Sequence, residues 1–358
     1  KAIGYYEQAL AIDREIGDQQ GEGADMGNLG LAYSNLGEVQ RAIGYYEQQL
    51  TITREIGNRR GEGNALTNLG IAHANLGEVQ KAIGYYEQAL AIAREIGDRR
   101  GEGNVLTNLG VAYSDMGEVL KAIGYYEQQL TITREIGNRR GEGNALTNLG
   151  LAYSNLGEMQ KAIGYYEEAL KIDREIGDRQ GEGNALTGLG NAYYSLGEVQ
   201  KAIGYYEQAL AIDREIGDRR GEGTDLGNLG NAYYSLGEVQ KAIGYYEQAL
   251  AIDREIGDRR GEGTALGNLG NAYRDLGEVQ KAIGYYEESL KIKREIGDRR
   301  GEGIASWNLG LMYALQGDLA RAVERMQVLV DYERAIGHPD AEKHSTLVVE
   351  IRRRMAGG

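Results

Sequence analysis

Residues 201–240, KAIGYYEQALAIDREIGDRRGEGTDLGNLGNAYYSLGEVQ, decide the fold. Read from Lys1 in blocks of forty, the chain repeats this stretch eight times, without insertion or deletion from Lys1 to Ala320. Self-similarity at such a period belongs to stacked repeat arrays, in which each repeat buries its apolar face against its neighbours. Residues 41–70 and 121–150 differ only at Arg41 and Lys121, and 201–220 equals 241–260, which points to internal duplication.

Each repeat holds two helices. In 41–80, Val39, Ala42, Ile43, Tyr46, Leu50 and Ile52 follow a three-to-four spacing that predicts a helix from Glu38 to Ile56. Gly57 stops it and Asn58 caps the next. In other repeats the cap is Asn138, Asp98, Asp178, Asp218, Asp258 or Asp298. The second helix runs from about Arg59 to Leu76, with Leu66, Leu69, Ala72, His73 and Leu76 facing inward. Gly77-Glu78 is a short turn, which makes consecutive helices antiparallel. Gly70 recurs in every repeat although glycine inside a helix costs about 1 kcal/mol. Its retention predicts a bulky group packed where a Cβ would sit. Gly61 and Gly63 fall where the helix start is expected to fray, and Gly44 has no explanation in the sequence. Of the paired tyrosines, Tyr206 is expected to point inward and Tyr205 to cover the next helix.

The net charge of −14 is spread evenly. Repeat 201–240 sets four basic side chains against seven acidic ones, a net of −3. An evenly acidic surface repels phosphate and argues against nucleic acid as the partner. There is no cysteine, hence no disulfide framework. No apolar run approaches the ~18 residues of a membrane span, and no signal peptide is visible. A cytoplasmic protein without membrane contact is expected. The chain opens at Lys1 within a repeat, which reads as part of something longer.

Asn228-Leu229-Gly230-Asn231-Ala232-Tyr233, then Gly237-Glu238, Ala242-Ile243, Tyr246 and Ala249-Leu250 resemble the tetratricopeptide repeat, with its large residue, Leu-Gly, Tyr, Ala, aromatic and Ala. The resemblance covers about 320 residues and recurs in register eight times. Two features depart from it. Arg stands in place of the closing Pro, as at Arg54 and Arg214, and the period is forty where the family's is about thirty-four. The long form is similar to Pins-type adaptors, to kinesin light chain and to bacterial signalling proteins that carry such arrays behind a STAND-type ATPase or caspase-like domain. The resemblance implies an all-α, right-handed solenoid (superhelix) of antiparallel helix pairs over 1–337, beginning with a half repeat, 1–17. It also implies that the leading helix of each repeat, the one carrying Asn68, lines a concave groove. Beyond it, Asp340–Met355 reads as a closing helix within 338–358, with Leu347, Val348 and Ile351 facing in and Arg352, Arg353 and Arg354 facing out.

No catalytic constellation stands out, and no cofactor or metal ligand set is expected. His73 occupies a slot that is Tyr elsewhere, and His338 and His344 lack a triad partner. G-E-G recurs without the strand and Lys-Ser/Thr of a phosphate loop.

The groove is where function is expected. Arg60, Asn64, Thr67, Asn68, Ile71 and Asn75 share one helical face, so each position becomes a ladder when repeats stack. One ladder is Asn28, Asn68, Asn108, Asn148, Asn228, Asn268 and Asn308, broken at Gly188. Asn donates and accepts, so it can grip a peptide backbone whatever its side chains. A second is Arg60, Arg100, Arg140, Arg220, Arg260 and Arg300, broken at Gln20 and Gln180 and suited to carboxylates. The competing reading of each Arg is an ion pair with the neighbouring repeat, such as Arg60 with Asp98 or Glu102. The third ladder is Leu31, Ile71, Val111 and Leu151, then Asn191, Asn231 and Asn271, accompanied by Tyr194, Tyr234 and Arg274. It predicts a ligand held by apolar contacts in the first half and polar ones in the second. The expected partner is thus a peptide or extended protein segment bound by a non-catalytic scaffold. The alternative is a sensor region of a larger signalling protein. End-to-end self-association through the half repeat at Lys1, by way of Ala2, Ile3, Tyr6 and Leu10, is a further expectation.

Overall fold

The computed structural model describes residues 1–356. Among them are eighteen helices: α1 (Ala2–Ile16), α2 (Gln19–Asn35), α3 (Val39–Glu55), α4 (Arg59–Asn75), α5 (Val79–Glu95), α6 (Arg99–Asp115), α7 (Val119–Glu135), α8 (Arg139–Asn155), α9 (Met159–Ile176), α10 (Arg179–Ser195), α11 (Val199–Ile216), α12 (Arg219–Ser235), α13 (Val239–Ile256), α14 (Arg259–Asp275), α15 (Val279–Glu295), α16 (Arg299–Leu315), α17 (Leu319–Ala335) and α18 (Ala341–Ala356). Gly357 and Gly358 of the expected tail lie outside the described residues. The chain divides into two compact units, Lys1–Gly181 and Glu182–Gly358. In each, consecutive helices pack as antiparallel pairs, an all-α solenoid of tetratricopeptide type.

The helix boundaries follow the caps. Gly57 turns left-handed at φ 70°, and the Asn58 side chain accepts from the Gly61 N–H at 2.9 Å, as Asp98 does from Gly101 at 2.9 Å. Mid-helix glycine has the predicted reason. A Cβ on Gly70 would lie 2.4 Å from Tyr86 Cε1, so the leading helix presses its backbone on the buried tyrosine ring of the trailing helix. The other tyrosine of each pair stacks on the aromatic residue of the preceding leading helix: Tyr45 on Tyr33 at 5.3 Å, Tyr205 on Tyr193 at 5.4 Å. Tyr205 therefore covers the helix before it, not the one after it. His73 takes the same stacking place on Tyr85, at 5.2 Å, and its Nδ1 meets Glu78 at 2.7 Å.

G-E-G is neither frayed nor solvated. Its first glycine makes room for the cap and for the residue eight positions earlier, as Gly61 does for Asn58 and Thr53. Its second packs on the next trailing helix, Gly63 against Ile92. The glutamate between them is buried and clamped by two arginines. Glu142 accepts from Arg134 at 2.8 Å and from Arg139 at 2.6 Å, and Arg139 also reaches Glu175 of the next trailing helix at 2.6 Å. The arginine that replaces the family's proline, Arg54 or Arg134, is thus one jaw of this clamp. Burial opposes the charge of Glu142, and the two guanidinium groups outweigh it and hold the carboxyl below its ordinary value. Its stabilisation is present above the carboxylate range and lost as pH falls through it. Replacing Arg134 and Arg139 together by Ala is expected to cost about 3 kcal/mol at pH 7, because it strands a buried charge, and much less at pH 3. Hydrogen exchange of α8 measures it.

Other positions depart from the sequence reading. Leu76 and Leu347 are each 37% exposed. Leu76 is the residue at which α4 ends. In the closing helix, Val348 and Ile351 bury against Met326 and Val330. In α1, Leu10 is buried and Ile3 and Tyr6 are half-buried against the neighbouring core; Ala2 is exposed, and the large exposed apolar side chains there are Tyr5, Ile12 and Ile16. A Cβ added at Gly44 would meet no atom within 4 Å, and the same holds at Gly84, Gly124, Gly164, Gly204, Gly244 and Gly284.

Candidate binding face

Within each unit, successive leading helices approach one another, α2 with α4, α4 with α6, α6 with α8, and α12 with α14. This puts them on the inner side of the stack. Their Asn68-type residues are half-buried, apart from exposed Asn28, and their Arg60-type residues are exposed. In the N-terminal unit, Asn28, Leu31, Gln49, Arg60, Asn68 and Asp98 line a cavity of about 420 Å³. In the C-terminal unit, Arg220, Asn228, Asn231, Asp253, Arg260 and Asn268 line a second, of about 310 Å³. Of the two ladders, Asn28, Asn68 and Arg60 share the first cavity, and Asn228, Asn268, Arg220 and Arg260 the second.

The third ladder changes with the chemistry beneath it. Leu31, Ile71, Val111 and Leu151 are 39–54% exposed, which places one aliphatic side chain per repeat at the surface of the leading helix. Asn191, Asn231 and Asn271 instead accept the hydroxyls of Tyr206, Tyr246 and Tyr286 at 2.8, 2.9 and 2.7 Å. Their amide oxygens are thereby occupied within the fold, which leaves the amide nitrogens as the groups open to a ligand. Asn268 and Asn308 donate to Asn231 and Asn271 at 3.3 and 3.4 Å, linking the ladders.

Tyr194 and Tyr234 reach along the stack. Tyr194 meets Ser235 at 2.6 Å, and Tyr234 bonds Asp275. Both hydroxyls tie one leading helix to the next. Of the arginines, Arg60 lies 3.7 Å and Arg140 2.7 Å from the cap carboxylates Asp98 and Asp178. The repeat after Arg100 has Asn138 at that cap, so this pairing has no acidic partner there. Asn108, Asn148, Arg100 and Arg300 lie at the equivalent places in their repeats but line neither cavity.

Among the described residues, no three His, Asp or Glu side chains are grouped to hold a metal ion. His338 and His344 both face buried Glu333, at 3.8 and 2.7 Å. No helix among the described residues is long and apolar enough to cross a membrane.

Sequence reasoning missed Gln49 and Asp253, buried polar residues on the cavity walls. The available signal was column variation. Gln49 and Gln129 stand where other repeats have Ala or Ser, and the position of Asp253, which is also Asp in Asp13, Asp173 and Asp213, is Thr53, Ala93, Thr133 or Lys293 in the remaining repeats.

The arrangement has known counterparts. The chain spans 97% of its length on a STAND signal-transduction ATPase with a tetratricopeptide-repeat sensor from Pyrococcus horikoshii, at TM-score 0.67 and 18% identity, and covers 55% of that chain. The apo quorum sensor NprR of B. thuringiensis matches 98% of this chain and 97% of its own, at TM-score 0.64 and 16% identity. A Rap protein complexed with Competence and Sporulation Factor matches 94% and 99%, at TM-score 0.59 and 16% identity. At these identities the likeness is one of fold. A comparison with curated proteins finds no match. The tetratricopeptide-repeat model matches residues 23–95, 61–135, 101–175, 141–215, 181–255 and 261–331, each match beginning close to a G-E-G and spanning two leading helices. The chain belongs to the tetratricopeptide-repeat family.

Proposed function

We propose that the chain binds an extended peptide segment on the inner face of its leading helices. The supporting observation is that Asn68 in one unit, and Asn228 and Asn268 in the other, sit half-buried on cavity walls at one position of the forty-residue repeat. Amides at a fixed repeat suit a ligand whose own amides repeat. The partners of the Rap and NprR class lend the reading analogy only. Exposed Leu31, Ile71, Val111 and Leu151 favour apolar side chains of the ligand in the N-terminal unit, and the amide nitrogens of Asn191, Asn231 and Asn271 favour carbonyls in the C-terminal one.

Replacing Asn68, Asn108, Asn148, Asn228 and Asn268 together by Ala removes five amides worth about 1 kcal/mol each. The variant is expected to lose, by at least about a hundredfold in affinity, a partner that the native array retains from host lysate, identified by mass spectrometry. Equal recovery by both would reject the asparagine ladder as the site. A second reading, a sensor region of a signalling protein, is favoured by the span shared with the STAND protein. The sequence encoded upstream of Lys1 tests it: an ATPase or protease domain there supports it.

A further inference from the structure

Asp253 is 8% exposed and lines the cavity of the C-terminal unit. No donor among the described residues reaches its carboxylate; its neighbours are burial itself and the charges of Asp258 and Glu262, which push it up to about 6. At neutral pH it is therefore ionised, desolvated and uncompensated, a state that calls for a cation. The space around it is kept open by glycine. A Cβ on Gly261 would lie 2.7 Å from the carboxyl, one on Gly223 would lie 3.2 Å from it, and one on Gly227 would meet nothing within 4 Å.

The chain itself shows what fits there. One repeat later the same position is Lys293, 9% exposed. Its ammonium lies 3.2 Å from the cap carboxylate of Asp298 and 3.4 Å from the Thr264 hydroxyl. The groups equivalent to those two, Asp258 and Thr224, line the cavity beside Asp253. One repeat supplies its own ammonium, and the other offers the matching acceptors plus an extra carboxylate. Arg220 and Arg260 line the same cavity, but neither forms an ion pair with Asp253, and Arg260 acts on Asp298. In the N-terminal cavity the position is Ala93, beside Ala89, Ile92 and exposed Leu31, so the cap carboxylate of Asp98 has no second carboxylate beside it there.

We propose that the cavity of the C-terminal unit is a subsite for an alkylammonium group of the bound peptide, a lysine side chain or a peptide N-terminus, held by Asp253, Asp258 and Thr224. This rests on the groove reading above. The groups facing the site are Arg220 from α12, Tyr246 from α13, and Asp258, Arg260 and Glu262 from α14, Glu262 being already clamped by Arg254 and Arg259.

Saturation-transfer NMR on the full chain tests it with three probes: N-acetyl-lysine methylamide, alanine methylamide and neutral N-acetyl-alanine methylamide. At least one ammonium probe is expected to bind about tenfold or more tighter than the neutral one, and whichever does so identifies the source. D253A, which copies the residue at Ala93, and D253K, which copies Lys293, are expected to abolish that preference. It should also fade as pH falls below 6, where Asp253 takes up its proton. Equal binding of all three probes, no binding by either ammonium probe, or a preference surviving in D253A would overturn the subsite. The groove reading is separable: a partner lost with the five asparagines but held unchanged by D253A overturns the ammonium subsite alone.

Discussion

Gly230→Ala is expected to destabilise the C-terminal unit by about 2–3 kcal/mol, while Gly244→Ala, in the neighbouring helix α13, stabilises it by about 0.5–1 kcal/mol. Both glycines sit inside helices and recur in every copy of the repeat. The difference is what surrounds them. A Cβ on Gly230 would lie 2.4 Å from Tyr246 Cε1 and 2.5 Å from Cδ1. That ring cannot swing away, because it is 2% exposed and its hydroxyl is tied to Asn231 at 2.9 Å. Relief must come from separating α12 and α13, and interiors at crystal-like density resist that. At Gly244 no atom lies within 4 Å, so Ala adds only its better helix propensity. Changing Gly44, Gly84, Gly124, Gly164, Gly204, Gly244 and Gly284 together should raise stability by several kcal/mol, about the sum of the single effects, since the sites share no contacts. Midpoints of thermal unfolding, with hydrogen exchange of α12 and α13, read both effects. A destabilised Gly244→Ala protein would show that α13 needs its glycine for a reason other than space.

Asp225→Ala is expected to make the C-terminal unit more stable, and more so at pH 9 than at pH 5. Every other leading helix except α2 and α6 has a small side chain of Ala type here; α6 has Val105 and α2 has Asp25. Asp225 is completely buried, with one oxygen accepting from Thr187 at 2.9 Å and the other without a partner. Burial raises its carboxyl to about 8, Thr187 works against the shift, and Asp213 and Asp218 add to it. Burial raises Asp213 to about 6 as well, with Asp218 and Glu222 adding to the shift and Asp225 working against it. The folded chain thus keeps a proton that the unfolded chain releases above its ordinary carboxylate range. Between about 4 and 8 the folded state binds more protons, so stability falls as pH rises through that window. The gain from removing the carboxylate is about 1–3 kcal/mol when it is charged and smaller when it holds its proton. Hydrogen exchange of α11 and α12 at the two pH values measures this locally, which matters in an array whose repeats need not unfold together. A wild-type protection that does not fall between pH 5 and pH 9 would sink the argument.

Asp25 repeats the arrangement in the N-terminal unit. Burial and Asp13 raise it, and a hydrogen bond from Asn28 lowers it. Asp225 is the single difference between 221–230 and 261–270, which has Ala265 there, so comparing columns of the repeat finds such a position when reading along the chain does not.

The helix pairs, their caps and their short turns followed from the chain alone, because a forty-residue period, Gly57-Asn58 and Gly77-Glu78 act over a few residues and owe little to distant contacts. Gly70 announced a close approach because its cost recurs in every repeat. The identity of the approaching ring, Tyr86, came from packing. Three matters were decided only by the tertiary structure. Glu142 looked like one more surface carboxylate until α7 and α8 together brought Arg134 and Arg139 onto it. Asn231 and Asn271 looked free until Tyr246 and Tyr286 took their oxygens. Asp253 looked like an ordinary charge on a helix until two glycines and a neighbouring repeat buried it without a partner. Local signals report where a helix starts and which stripe is apolar. Whether a polar group is satisfied depends on the donors and acceptors that distant segments bring within about 3 Å, and only the folded stack brings those segments together.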